Sequence, residues 1–494
     1  MASHCCKLPG GSKLRLLLTA SLLATAIAAG PVAAAPGGTA GAPAGATAGA
    51  SAGEPAFRSL YKELVETNTT KSAGSCTLAA ERMAARLKAA GYADSAVRLF
   101  VPDGAPKDGG LVATLPGSDP KAGAILLLAH VDVVEARRED WQRDPFVLVE
   151  EEGNFYGRGT SDDKSQAAIY TDAMIRLKPG KPLRRTLKLA LTCGEEGGGQ
   201  VNGVEWLVTN HKDWIAADFA LNEGGGGSAD ASGKPISLSF QAGEKVYQDF
   251  RLETTNPGGH SSRPRPDNAI YSLAAGLVRL GQYEFPVQFS DTTRAYFTAI
   301  APLRDPETAA AIKTLLANPA DGAANAIVSR DAGLHSTLRT TCVATLLDAG
   351  HAPNALPQRA RANVNCRMFP GDSVEKVRGL IVGAIGDPAI GVAPFGEISP
   401  TPPPPPLTPL VFGTARMLAE THFPGIPMVP AMSTGATDGR FLNAAGIPTY
   451  GVPGAFGRPD GGGVHGLNEY RPVAGLMAQR DYLFDLIQRY ASAR

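Results

Sequence analysis

The chain has 494 residues, with 47 lysines and arginines against 47 aspartates and glutamates. That length exceeds one typical core and calls for two domains. The balanced charge excludes the basic or acidic excess that draws proteins to nucleic acid or to an anionic membrane.

Lys7, Lys13 and Arg15 precede the apolar run LLLTASLLATAIAAG, and Ala33-Ala34-Ala35 follows it. A basic start, a short apolar run and a small-residue exit predict a signal peptide over residues 1–35, too short in its apolar part for a membrane span. Residues 36–53 are all Ala, Gly, Pro, Ser or Thr, a composition that cannot build a core and reads as a tether. No later stretch is long and apolar enough to span a bilayer. The expectation is an exported protein, periplasmic or secreted, with no membrane span once the signal is removed.

Helical spacing covers residues 57–67 and 78–91, and short strands follow at 97–101 and 111–115. The continuous apolar run 124–134 fits a strand buried on both faces of a parallel sheet, and it delivers His130 and Asp132 at its carboxyl end. Residues 155–164, FYGRGTSDDK, place Asp162 and Asp163 just before a helix at 165–177. Residues 186–199, TLKLALTCGEEGGG, alternate as a strand and stop in Glu195-Glu196 between glycines. A helix through 201–209 and a strand at 217–223 follow, the latter ending in Glu223. Strand, acid, helix, repeated, predicts an α/β domain with its site at the strand carboxyl ends.

The pattern changes near Glu244. An amphipathic strand at 245–255, a loop through His260, a helix at 268–280, strands at 340–349 and 358–368, a helix at 374–385 and a strand at 390–395 give a β-α-β-β-α-β order. Residues 283–336 interrupt it as a largely helical insertion. The proline run 400–406 marks a boundary. Beyond it come a helix at 410–421, a loop at 432–439, a helix at 439–445, a strand at 448–452, a glycine-rich loop to His465 and a last helix at 473–489. The predicted architecture is α/β. Residues 54–243 and 400–494 form a discontinuous domain with a mostly parallel sheet flanked by helices, and residues 244–399 form an inserted ferredoxin-like α+β domain.

Four cysteines remain after the leader, Cys76, Cys193, Cys342 and Cys366, without metal-site spacing. A hairpin centred near Asn354 sets Cys342 opposite Cys366, and export permits a disulfide there. Cys193 reads as a small buried strand residue.

The strand-end groups His130, Asp132, Asp162, Asp163, Glu195, Glu196, Glu223 and His465 exceed what one metal needs. Imidazole with carboxylate suits zinc, and also cobalt or manganese. The surplus argues for two metals bridged by one carboxylate.

The stretches LLLAHVDVV, YGRGTSDDKS, TCGEEGGG, ALNEGGG, NPGGHSSRP, NALP, NCRMFPGD, GATDGRFL and GGGVHGLNEY resemble, in order, those of the M20 metallopeptidases. That family includes carboxypeptidases, dipeptidases, aminoacylase and a desuccinylase. The resemblance implies two divalent metals, zinc first. His130, Asp162 and Glu223 would hold one, and Asp162, Glu196 and His465 the other. It makes Asp132 the residue that orients His130 and Glu195 the general base that works on a metal-bound water, and it implies a cis peptide after Asp162. His260 matches a lid histidine that contacts the oxyanion, in dimeric relatives across the subunit interface. Asn354, Arg367 and Gly435 match substrate-binding positions. The implied substrate is a small peptide, cleaved as by a carboxypeptidase or dipeptidase, with an N-acyl amino acid as the alternative and an inactive binding protein as a remote one. The implied assembly is a homodimer through the inserted lid and dimerisation domain.

Overall fold

The carboxyl ends of adjacent parallel strands set the position of the site. In the computed structural model, residues 53–230, 233–457 and 461–493 are described; the predicted signal peptide and the tether up to residue 52 lie outside them. Strands Ala124–His130, Thr186–Thr192, Phe219–Asn222 and Thr449–Gly451 run parallel at the centre of a nine-stranded sheet. Leu126, Leu127, Ala190 and Leu221 are buried, as a strand covered by helices on both faces requires. On the side of Thr186–Thr192 the pairing outward turns antiparallel, while at the opposite edge Met428–Ser433 pairs parallel with Pro235–Glu244. Gly110–Leu115 pairs with Thr186–Thr192, and Val97–Phe100 with Gly110–Leu115. The sheet is therefore mixed, with the expected parallel part at its middle.

Three strands of this sheet escape the sequence reading, Gly226–Ala229, Pro235–Glu244 and Met428–Ser433. Pro235–Glu244 lies between Thr449–Gly451 and the edge strand Met428–Ser433, whose end overlaps the loop expected at 432–439. Pro430 disguises Met428–Ser433, since proline is tolerated in a strand only at an edge or bulge. That edge is covered. Val429 belongs to the apolar cluster of the helical insertion, with Phe297, Ile300 and Leu315, so the helices of residues 291–337 hide part of an edge that would otherwise invite pairing.

A second sheet has four antiparallel strands in the order Thr341–Ala349, Arg359–Met368, Val246–Thr255, Gly391–Phe395. Helices Ala269–Gln282 and Val374–Ile385 pack on it through Leu273, Leu280, Val377 and Ile381, all in a core of its own. This is the β-α-β-β-α-β arrangement read from the sequence. Cys342 pairs with Cys366 in register, and their sulfurs are bonded, as the hairpin geometry predicts. A second bridge, Cys76–Cys193, joins helix Cys76–Ala89 to the end of strand Thr186–Thr192. Cys193 is buried as read from the sequence, but its pairing with Cys76 was not foreseen.

Candidate dinuclear active site

Strand register assembles the first half of the site. His130 lies opposite Thr192, and Leu127 opposite Leu221, so the residues just past each strand end, Glu195, Glu196 and Glu223, converge on His130. His130 Nε2 is 3.1 Å from Asp162 Oδ1 and 3.8 Å from Glu223 Oε2. His465 Nε2 is 3.1 Å from Asp162 Oδ2 and 2.9 Å from Glu196 Oε2. Asp162 thus offers one oxygen to each histidine. Two triads result, His130–Asp162–Glu223 and Asp162–Glu196–His465, each with its ligand atoms within 4.8 Å of one another. Their membership and the shared carboxylate are those the sequence motifs imply.

Asp132 supports both halves. Its backbone carbonyl is 3.1 Å from His130 Nδ1 and its Oδ1 3.5 Å, while Oδ2 accepts a hydrogen bond from the Glu196 amide at 3.1 Å. An imidazole held at one nitrogen presents the other to a cation. The peptide between Asp162 and Asp163 is cis.

Glu469 was not singled out from the sequence. It is fully buried and accepts from the amides of Gly159, Ser161 and Asp162 at 2.9, 2.7 and 3.1 Å, and from Arg158 Nη1 at 2.9 Å. Strand Tyr470–Pro472, paired with Asn154–Tyr156, brings it there. It fixes the turn that aims Asp162. Asp438, likewise unremarked, accepts from Asn202 Nδ2 at 2.6 Å, and Asn202 also binds the Gly194 carbonyl at 3.2 Å.

The electrostatics require positive charge. Burial, then the Glu223 carboxylate, pushes Glu195 up to about 10. Burial pushes Asp163 well up and Glu223 up. Burial would lower His130, but hydrogen bonds to Asp132, Asp162 and Glu223 hold it well above the usual range. Hydrogen bonds to Asp162 and Glu196 lift His465 to about 10. Burial would raise Asp162, and the two histidines pull it below the usual carboxylate range instead. Glu223 Oε1, Asp163 Oδ2 and Asp132 Oδ1 are buried without hydrogen-bond partners. Carboxylates crowded this way need cations among them. The donor set of imidazole and carboxylate fits two borderline divalent ions.

The remaining expected residues stand apart from the triads. His260 is exposed on the two-residue strand Gly259–His260, paired with Ala355–Leu356 beside Asn354. Its Nδ1 accepts from the Ser262 amide at 3.1 Å, which leaves the neutral ring's proton on Nε2. Arg367 packs over the Tyr247 ring at 4.9 Å. Gly435 is exposed in the 434–438 loop, its amide bonded to Ser433 Oγ at 3.1 Å. Among the described residues, none of these four is a hydrogen-bond partner of a triad residue.

A fold and a site of this kind define a metal-dependent hydrolase of amide bonds. Residues 126–489 match the family model described as peptidase family M20/M25/M40. The chain is 31% identical over 397 residues to the N-fatty-acyl-amino acid synthase/hydrolase PM20D1 of Homo sapiens, covering 76% of each chain. It is 27% identical over 350 residues to aminoacylase-1 of Mus musculus, covering 69% of this chain and 74% of that one. A solved M20 family metallo-carboxypeptidase from Sulfolobus solfataricus superposes with a TM-score of 0.63 at 19% identity, over 88% of this chain and 99% of that one. The chain belongs to peptidase family M20.

Proposed function

We propose that the protein is an exported dinuclear hydrolase that releases a free amino acid from a small peptide, as a dipeptidase or carboxypeptidase does. The observation that carries it is Asp162, with one oxygen 3.1 Å from each of two histidine Nε2 atoms. His130, Asp162 and Glu223 would hold one cation, and Asp162, Glu196 and His465 the other, zinc first with cobalt or manganese as alternatives. When bound, such a pair polarises the scissile carbonyl and acidifies a water. Glu195 accepts the proton that the attacking water sheds and delivers it to the amine as the C–N bond breaks. Asp132 holds His130 in place. His260 donates its Nε2 proton to the developing oxyanion, while Asn354, Arg367 and Gly435 receive the substrate, Arg367 pairing with its carboxylate.

Residues 54–243 and 400–494 act in this reading as the catalytic domain and 244–399 as a lid. Because His260 and Arg367 stand off from the triads within one chain, a homodimer would bring a partner's His260 to each site. The exposed edge strand Thr341–Ala349 supports this, with Leu346 and Leu347 70% and 67% accessible. Two disulfides agree with export, and no helix among the described residues is long and apolar enough to cross a membrane.

A second reading, hydrolysis of an N-acyl amino acid, is favoured by the 31% identity to an N-fatty-acyl-amino acid synthase/hydrolase. Both readings share the leaving amino acid and differ in the acyl side. Assays with dipeptides, carboxamide-blocked dipeptides and N-acyl amino acids, each with zinc, cobalt or manganese, test them. Cleavage of free dipeptides and not of blocked ones is expected. Turnover of N-acyl amino acids alone would select the second reading, and no turnover of any would refute both.

A further inference from the structure

The Cys76–Cys193 bridge lies directly beneath the site. Cys193 immediately precedes the Gly194-Glu195-Glu196 turn, and both sulfurs are fully buried. An Asp132 carboxylate oxygen and the two sulfurs all lie within 4.8 Å of one another. Asp132 also contacts His130 and accepts the Glu196 amide. Gln200, at the far end of the glycine turn, donates Nε2 to Cys193 Sγ at 3.1 Å, and the Gly203 amide binds the Cys193 carbonyl at 2.7 Å. The turn between them needs anchoring, because Gly194, Gly197, Gly198 and Gly199 all adopt positive φ, a region of high backbone freedom. The bridge fastens this turn to helix Cys76–Ala89, whose Ala79, Ala80 and Met83 are buried in the main core. By contrast, Cys342–Cys366 crosslinks two strands of the four-stranded sheet, one of them the exposed edge.

We infer that Cys76 and Cys193 are positioning residues: their disulfide holds Asp132, Glu195 and Glu196 in working geometry, so activity requires the bridge to be oxidised. Reduction would transfer two electrons and two protons from a dithiol to the S–S bond. It would leave two thiols here and a disulfide on the reductant. The freed turn and the unbraced Asp132 then lose their fixed placement relative to His130. The inference rests on the reading of the site as a dinuclear hydrolase, and a metal-binding readout separates the two.

The test compares C76A/C193A with C342A/C366A in the full chain. Measured are kcat and KM on a substrate the wild type cleaves, and cobalt affinity from the visible absorption of the bound ion. For C76A/C193A, with the wild-type circular dichroism spectrum, kcat should fall at least tenfold with KM within twofold, and cobalt should bind at least tenfold more weakly. C342A/C366A should stay within twofold throughout. Should C76A/C193A fail to fold, C342A/C366A is treated with increasing dithiothreitol until Cys76 and Cys193 alkylate, and activity should fall in step with labelling. Full activity and unchanged cobalt affinity in folded C76A/C193A, or in fully labelled C342A/C366A, would overturn the inference. Wild-type protein that binds cobalt but cleaves nothing would instead fault the functional reading.

Discussion

In the proposed mechanism Glu195 and Glu196 are neighbours with different tasks. Glu196 faces His465 at 2.9 Å, whereas Glu195 belongs to neither triad and sits where burial and Glu223 raise its proton affinity. E195A should therefore lower kcat by at least a thousandfold, within the range a positioned acid/base group supplies together with the water it orients. It should leave the bound metal unchanged by elemental analysis. Turnover within tenfold of wild type would remove Glu195 from its role. Glu469 acts on the same turn from the other side. Because E469A strips a buried carboxylate from Arg158 and three backbone amides, it should cost roughly 3 kcal/mol in denaturant unfolding and weaken metal binding. Of the candidate ligands, His130, Glu196 and Glu223 were legible because each ends or closely follows an apolar strand that stops abruptly, whereas Asp162 and His465 lie in glycine-rich loops and were named by their motifs. Glu469 was not legible, since it meets Asp162 from 307 residues away, and nothing local in its sequence declares that contact.

At the scale of elements, the hairpin joining Cys342 to Cys366 was legible and the link from helix Cys76–Ala89 to a strand end was not. The Cys342–Cys366 pairing follows from a local register over 24 residues, while Cys76–Cys193 spans 117 and depends on how a helix packs against a strand end. Strand Met428–Ser433 was hidden by Pro430, whereas Pro235–Glu244 alternates Ile236, Leu238 and Phe240 with Ser237, Ser239 and Gln241, a strand pattern that the sequence reading passed over. Lys245, where the chain passes from one sheet to the other, is fully buried and donates to Ser336 O, Ser336 Oγ and Thr341 Oγ1 at 3.0, 3.1 and 3.0 Å. Burial, then Arg367 and Arg339, pulls its ammonium down to about 7 from 10.5. Between those values the unfolded chain binds more protons than the folded one, so this residue's contribution makes stability rise with pH through that window. Wild type should therefore gain stability relative to K245M from pH 7 to pH 10, by a few kcal/mol at most. A difference that stays constant across the window would show Lys245 charged at neutral pH.

For the whole molecule, the sequence conveyed the α/β class, because strand order and acid placement repeat along the chain, and its motifs named the residues that the structure gathers in the two triads. What they could not convey is that His260, on the two-stranded sheet, and Arg367, on the four-stranded one, form no hydrogen bond with a triad residue among the described residues. If a second subunit supplies His260, L346E/L347E on the exposed edge strand should yield monomers by analytical ultracentrifugation and lose activity with the site intact. Monomers of full activity would leave His260 without its cross-subunit role.

The shared carboxylate remains the centre of the account, because Asp162 is the only residue common to both triads among the described residues. Elemental analysis of metal-saturated, dialysed protein tests this directly. Wild type should hold two divalent ions per chain, and D162A at most one, bound more weakly. A single ion in saturated wild type, or two retained by D162A, would contradict it.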